Sequence, residues 1–147
     1  MALPHLPAEV VALGVEVDNW RDAVRAAGMA LAESGIADVS YADEMIRMIE
    51  EHGPYVVIAP GLALAHARPG PAVKRDGIAV VTLAEPVNFG HPYNDPVSVV
   101  LALAVVSADA QIALVAELAN VFNDSTAITD LGQAKSVEDV RRILGAA

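Results

Sequence analysis

The stretch "SVVLALAVV" (98–106) is the strongest signal of the fold in this sequence, because every residue in it except Ser98 is apolar. Its β-branched content is typical of a strand, and its unbroken apolar character predicts a strand that is covered on both faces. The runs "YVVIA" (55–59) and "GIAVVTL" (77–83) share this character and are bordered by Gly or Pro. Three such runs predict a buried sheet with helices on its faces.

Helical spacing and capping residues predict the elements around these strands. A first strand is predicted at 10–17, after which Asp18 or Asn19 caps a helix that ends at Gly35. The order β-α-α-β-β-β-α-α predicts an α/β fold, a three-layer α/β/α sandwich with a mixed central sheet of four to five strands. Residues 1–147 are expected to form a single domain. The predicted helices cover Trp20 to Leu31, about Tyr41 to Glu51, about Asp109 to Phe122, and Val137 to Leu144.

The third of these helices is apolar on most of its sides. Ile112 and Val115 lie on one stripe, and Leu114 and Leu118 lie on another. A helix that is apolar nearly all round is usually buried, so this helix is predicted to be well covered by the rest of the protein.

Composition excludes several classes of function. Nine Lys and Arg against nineteen Asp and Glu give a net charge of −10, which repels nucleic acid and anionic membranes. The absence of cysteine excludes disulfides and a cysteine nucleophile. The opening "MALPHLPAEV" lacks the basic start of a signal peptide, and polar residues interrupt the most apolar region. A cytoplasmic protein without membrane insertion is expected.

The segment "APGLALAHARPGP" (59–71) holds the residues of greatest chemical interest. Its Pro and Gly residues predict an irregular loop that follows the buried strand at 55–59 and carries His66 and Arg68. α/β proteins place reactive groups in such loops. From the residues alone, however, His66 is equally consistent with ordinary packing and with a function.

The other histidines have simpler interpretations. His5 lies in a Pro-rich segment, His52 in the last turn of a helix where a cation favours the dipole, and His91 in a polar loop. No phosphate-loop, dinucleotide-binding or serine-hydrolase pattern occurs, and no histidine pair has metal-ligand spacing. The sequence therefore predicts neither a cofactor nor a metal.

Two motifs carry a resemblance to a known family. "APGLALAHAR" (59–68) and "GHPYNDPV" (90–97) resemble segments of the enzyme IIA domain of the phosphoenolpyruvate-dependent sugar phosphotransferase system (PTS), in its mannitol/fructose class. The ascorbate-specific enzyme IIA proteins are the most similar subgroup. A weaker similarity extends over almost the whole chain.

The resemblance implies that His66 is the phosphoryl acceptor. A neutral imidazole has a nitrogen lone pair available for this role near pH 7. Arg68 offers planar donors to the phosphoryl oxygens. Asn94 or Asp95 is expected to hydrogen-bond the other ring nitrogen of His66, although the same two residues would also suit an ordinary turn.

This chain departs from the family at one position. Members commonly carry a second histidine at the start of the helix after the last strand, and the matching position in this chain is Ala110. One interpretation is that His91 or Gln111 replaces that histidine in a rebuilt site. The other is that the chain is a regulatory module that binds partners according to its phosphorylation state. A third hypothesis is a metal- or ligand-binding domain that uses His66 and His91.

The phosphocarrier interpretation also implies partners. His66 would receive the phosphoryl group from the phosphohistidine protein HPr and pass it to an enzyme IIB whose membrane partner imports the sugar. The acidic charge suits docking onto a basic patch of a carrier. A homodimer is possible. The sequence does not name the sugar, although the subgroup suggests ascorbate.

Overall fold

A mixed sheet forms the centre of the molecule. The structure is a computed structural model that describes residues 3–124 and 126–147, and within these ranges five strands pair in the order β1-β4-β5-β3-β2. β4 and β5 are antiparallel, as are β2 and β3, whereas β1 runs parallel to β4 and β3 parallel to β5. The strands are β1 (Val11–Val15), β2 (Val57–Ala59), β3 (Leu62–His66), β4 (Gly77–Val87) and β5 (Val97–Ala104).

Helices cover both faces of this sheet. Every residue of β5 from Val99 to Ala104 is fully buried, which requires cover on both sides because alternate side chains point to opposite faces. α1 packs on β4 and β5 with α2 against it, while α4 also packs on these two strands and contacts α3 and α5. The helices are α1 (Trp20–Glu33), α2 (Ser40–His52), α3 (Ala108–Phe122), α4 (Ala127–Gly132) and α5 (Val137–Leu144).

The predicted three-layer sandwich is confirmed. The predicted cap of α1 is also found, because the side chain of Asn19 accepts the N–H of Asp22. Ser136 caps α5 in the same way by accepting the N–H of Asp139. The predicted element order missed two short elements, strand β3 and helix α4. Among the described residues, no helix combines the length and apolar character needed to cross a bilayer.

The prediction of an irregular loop at 59–71 is wrong in its first half. Pro60 and Gly61 form a two-residue turn, in which Gly61 has φ of 82°, and the chain then returns as strand β3. Pro at the first and Gly at the second central position suit a tight turn that needs a positive φ. The breakers therefore lie between two strands, and His66 ends a strand.

The prediction that α3 is well buried is also wrong. Only Leu114 and Leu118 are buried in this helix, whereas the exposed fraction is 70% for Ile112 and 38% for Val115. α3 therefore presents an apolar stripe to solvent beside the carboxyl end of β5.

A close contact between α1 and α2 generates a stability prediction. A Cβ at the buried Gly28 would lie 2.5 Å from the Cβ of Ala42, closer than real carbon atoms approach. Although alanine favours a helix over glycine by about 1 kcal/mol, overpacking costs about 1–3 kcal/mol. Gly28→Ala should therefore lower the free energy of unfolding by up to about 2 kcal/mol, measured by urea denaturation.

Gly132→Ala is the matched control for this change. A Cβ at this helical position would meet its nearest neighbours at 3.9 Å, an ordinary contact distance. Its free energy of unfolding should match the parent within about 0.5 kcal/mol. A stabilised Gly28→Ala variant would show that the two helices are free to separate.

Candidate active site

His66 lies at the end of the sheet where the parallel strands β3 and β5 terminate. It is the last residue of β3 and lies opposite Leu103, next to the end of β5. The chain leaves β5 at this same end and begins α3 at Ala108. Carboxyl ends of parallel strands are where α/β proteins place ligand sites, because the loops and helix starts there converge.

The backbone fixes the tautomer of His66. Its Nδ1 lies 3.1 Å from the carbonyl oxygen of Leu64, two residues earlier in the same strand. A carbonyl oxygen only accepts hydrogen bonds, so Nδ1 must carry the proton and donate it. In the neutral ring, Nε2 then keeps its lone pair.

Tyr55 forms an aromatic wall against His66. The two rings meet edge to face, with centroids 5.7 Å apart and planes at 89°. His52 contacts Tyr55 in a second edge-on arrangement at 6.3 Å. Burial raises the pKa of the Tyr55 hydroxyl, so this side chain stays neutral at physiological pH.

These side chains border a cleft of about 310 Å³ that is also lined by the side chain of Arg68. Arg68 is exposed, and no other part of the described chain engages its guanidinium in a hydrogen bond or an ion pair. Gln111, from the first turn of α3, adds an amide to the cleft. The cleft can therefore hold an anion beside the half-buried ring of His66. Its lining is Met48, His52, Tyr55, His66, Ala67, Arg68 and Gln111.

The loop that carries His91, Asn94 and Asp95 lies at the opposite end of the sheet. It precedes Val97, the first residue of β5, whereas His66 pairs with Leu103 near the last. At about 3.3 Å per residue, these two positions of β5 are about 20 Å apart. The three loop residues therefore do not join His66 in one site.

Hydrogen bonds within that loop account for its polar residues. The Asp95 carboxylate accepts the N–H groups of Phe89, Gly90 and His91 at 2.7–3.1 Å. Nδ1 of His91 accepts the N–H groups of residues 93 and 94. The Asn94 amide donates to the carbonyl oxygen of residue 57. The expectation that Asn94 or Asp95 fixes the tautomer of His66 is thus wrong, because the Leu64 carbonyl does so.

The sequence interpretation also missed residues that line the cleft. His52 was interpreted as a helix-end residue, yet the turn after α2 brings it and Tyr55 toward His66. Ala110 packs against the hydrophobic core, so Gln111 is the residue of that turn that reaches the cleft. The sequence does not show which side of α3 faces the core. Helical spacing alone therefore could not tell which of residues 110 and 111 reaches the cleft.

The chain is similar to known proteins along nearly its whole length. A family model described as "Phosphoenolpyruvate-dependent sugar phosphotransferase system, EIIA 2" matches residues 4–146. The chain is 34% identical over 131 residues to the ascorbate-specific PTS system EIIA component of Shigella boydii, which covers 88% of this chain and 85% of that protein.

Two solved structures share the fold. The mannitol IIA protein of Escherichia coli matches with a TM-score of 0.83 and 25% identity, over 95% of this chain and 98% of that one. The nitrogen regulatory protein IIA-Ntr of Neisseria meningitidis matches with a TM-score of 0.79 and 26% identity, over 94% of both chains.

The Leu64 contact predicts the tautomer of the free protein. Because the carbonyl oxygen accepts from Nδ1, neutral His66 should carry its proton on Nδ1. Long-range proton–nitrogen NMR spectra of the neutral ring measure this directly. His66→Gln assigns the signals, and a neutral ring with its proton on Nε2 would contradict the geometry.

Proposed function

The chain belongs to the EIIA 2 family of the phosphoenolpyruvate-dependent sugar phosphotransferase system, and from this premise we propose that His66 is its phosphoryl carrier. His66 accepts the group from phospho-HPr and passes it to an enzyme IIB. The observation that carries the proposal is the Nδ1 contact of His66 with Leu64. It leaves Nε2 with a lone pair in a cleft that also holds Arg68, which has no ion-pair or hydrogen-bond partner among the described residues.

The transfer step follows from this arrangement. The lone pair of Nε2 attacks the phosphorus atom, and a nitrogen–phosphorus bond forms. The bond between phosphorus and the histidine of the donor breaks, and its electron pair returns to the donor ring. The hydrogen bond from Nδ1 to Leu64 persists and stabilises the positive charge that develops on the His66 ring. The transfer to enzyme IIB repeats these events with His66 as the leaving group.

Arg68 compensates charge on the phosphoryl oxygens. Phosphoryl transfer depends mainly on positioning and on stabilising the charge of the equatorial oxygens. Arg68 is two residues from His66 and lines the same cleft, so its planar donors can follow the group through the reaction. The amide of Gln111 donates a further hydrogen bond from α3.

The surface around the cleft suits a protein partner. Val106 and Ile112 are 54% and 70% exposed, and Tyr55 is 40% exposed at the cleft wall. Apolar residues around a reactive centre let two carriers exclude water while the phosphoryl group passes between them. The net charge of −10 adds attraction for a carrier with a basic patch.

The similarity to ascorbate-specific proteins supports ascorbate uptake as the pathway that receives the phosphoryl group. In the proposed scheme the sugar does not enter this cleft, because the phosphoryl group reaches the sugar through enzyme IIB. Its relay partners are cytoplasmic in this proposal, and so is this chain. The possible homodimer stays a prediction.

A regulatory module remains the second candidate. The structural similarity to a nitrogen regulatory protein at 26% identity favours it specifically. The two functions separate at the second transfer, because a carrier passes its phosphoryl group to an enzyme IIB whereas a purely regulatory module retains it.

A reconstituted relay tests the carrier function. With phosphoenolpyruvate, enzyme I and HPr, the protein should acquire acid-labile, base-stable phosphate that chases onto enzyme IIB. His66→Gln should abolish labelling, whereas the matched variant His91→Gln should retain it, because His91 lies at the other end of β5. Label on the His66→Gln variant would refute the assignment. Stable label that never reaches enzyme IIB of the ascorbate system or of other sugar systems would favour the regulatory candidate.

Removing the cleft arginine should slow the transfer without unfolding the protein. A charge-assisted hydrogen bond contributes about 1.5–3 kcal/mol, so Arg68→Ala should lower the single-turnover rate from phospho-HPr roughly ten- to hundred-fold. Arg142→Ala, at an exposed ion pair on α5, is the control and should keep the parental rate. Equal rates for the two variants would show that Arg68 does not contact the phosphoryl group.

A further inference from the structure

We propose that Tyr41 is a positioning residue for phosphoryl transfer, because its buried hydroxyl determines where the chain leaves β3 and so where Arg68 stands relative to His66. The inference rests on the proposed function of His66. It assigns a role to a residue that lies behind the cleft rather than in its lining.

The hydroxyl of Tyr41 bridges two strand ends. Tyr41 lies in the first turn of α2 and is 1% exposed. Its O–H donates to the carbonyl oxygen of Leu103 at 2.7 Å, and its oxygen accepts the N–H of Ala67 at 3.0 Å. The carbonyl oxygen of Ala67, at 3.4 Å, is a longer alternative acceptor. One hydroxyl thus satisfies a buried donor and a buried acceptor together.

The bridge occupies the place of the next hydrogen bond in the ladder. In β3, the N–H of Leu64 points away from β5 to the carbonyl oxygen of Val56, so the N–H groups of its odd-numbered neighbours face β5. With His66 opposite Leu103, a continued parallel ladder would have Ala67 donate directly to the Leu103 carbonyl. The Tyr41 oxygen lies between these two groups instead.

This insertion separates the chain from β5 immediately after His66. The ring of His66 is still held by Leu64, but Ala67 is held through a side chain of α2. Arg68 is the next residue, and it has no partner of its own within the described residues. The direction in which its guanidinium enters the cleft therefore depends on the Tyr41 bridge.

The bridge is also stable to pH. Burial raises the pKa of Tyr41 to about 12, so its hydroxyl remains protonated throughout the physiological range. It can donate to Leu103 and accept from Ala67 under all conditions in which the carrier works.

Tyr41→Phe removes the bridge and retains the ring. We expect its single-turnover rate from saturating phospho-HPr to fall about tenfold, with little change in the concentration of phospho-HPr that gives half the maximal rate. The matched control is Thr82→Val, which removes another buried hydroxyl that accepts a backbone N–H, that of Gly14 at 2.8 Å. Thr82 pairs opposite Val99, toward the other end of the sheet, and its loss should change the rate less than twofold.

A double-mutant cycle separates positioning from general loss of stability. If Tyr41 acts through Arg68, then Arg68→Ala should slow transfer by a much smaller factor in the Tyr41→Phe background than in the parent. The same factor in both backgrounds would overturn the proposal, as would a parental rate for Tyr41→Phe. If the parent itself takes up no phosphate, the proposed function fails together with this role, whereas a labelled parent with an unaffected Tyr41→Phe removes only the role of Tyr41.

Hydrogen exchange tests the bridge even if Tyr41→Phe does not fold. In the parent, the amide of Ala67 should exchange far more slowly than that of Arg68, since only the former is bonded to a buried hydroxyl. Equal exchange rates for the two amides would show that the bridge does not hold the strand end, and the proposal would fall.

Discussion

The parallel pairing of β3 with β5 determines where His66 lies in this molecule. β5 is buried along nearly its whole length, so its position is fixed from both faces and from both neighbouring strands. β3 is a short strand that takes its register from β5, with Leu62 opposite Val99 and His66 opposite Leu103. A side chain at the end of such a strand is held by the core of the protein, although it borders an open cleft.

The polar groups at the two ends of the sheet have different roles. At the carboxyl end of β3, the backbone carbonyl of Leu64 fixes the proton of His66 on Nδ1. Behind the cleft, Tyr41 of α2 accepts the N–H of Ala67. At the other end, Asp95 and His91 use their polar atoms to bind backbone N–H groups of their own loop. The residues of the motif at 90–97 thus stabilise a turn into β5, and they support the candidate active site only by fixing the strand that His66 pairs with.

The sequence predicted the layers of the fold and singled out His66 as a candidate, but it did not predict the surroundings of that histidine. Apolar runs and capping residues are local signals, which is why the sandwich and the cap of α1 followed from them. Strand β3 was missed because Pro60 and Gly61 are breakers, and their effect depends on whether they fall inside an element or between two. The exposure of Ile112 depends on which side of α3 meets the sheet, a tertiary property that periodicity alone does not contain. The His66–Leu64 contact likewise depends on where β2 stops pairing with β3.

The central claim is that the backbone at the end of β3 makes Nε2 of His66 the phosphoryl-accepting atom. The most direct measurement is phosphorus–nitrogen coupling in NMR spectra of the phosphorylated protein labelled with ¹⁵N in its histidine rings. We expect one-bond coupling to Nε2 of His66, while Nδ1 of that ring remains protonated and hydrogen-bonded to the carbonyl oxygen of Leu64. Coupling to Nδ1 of His66, or to a ring nitrogen of His52 or His91, would contradict it.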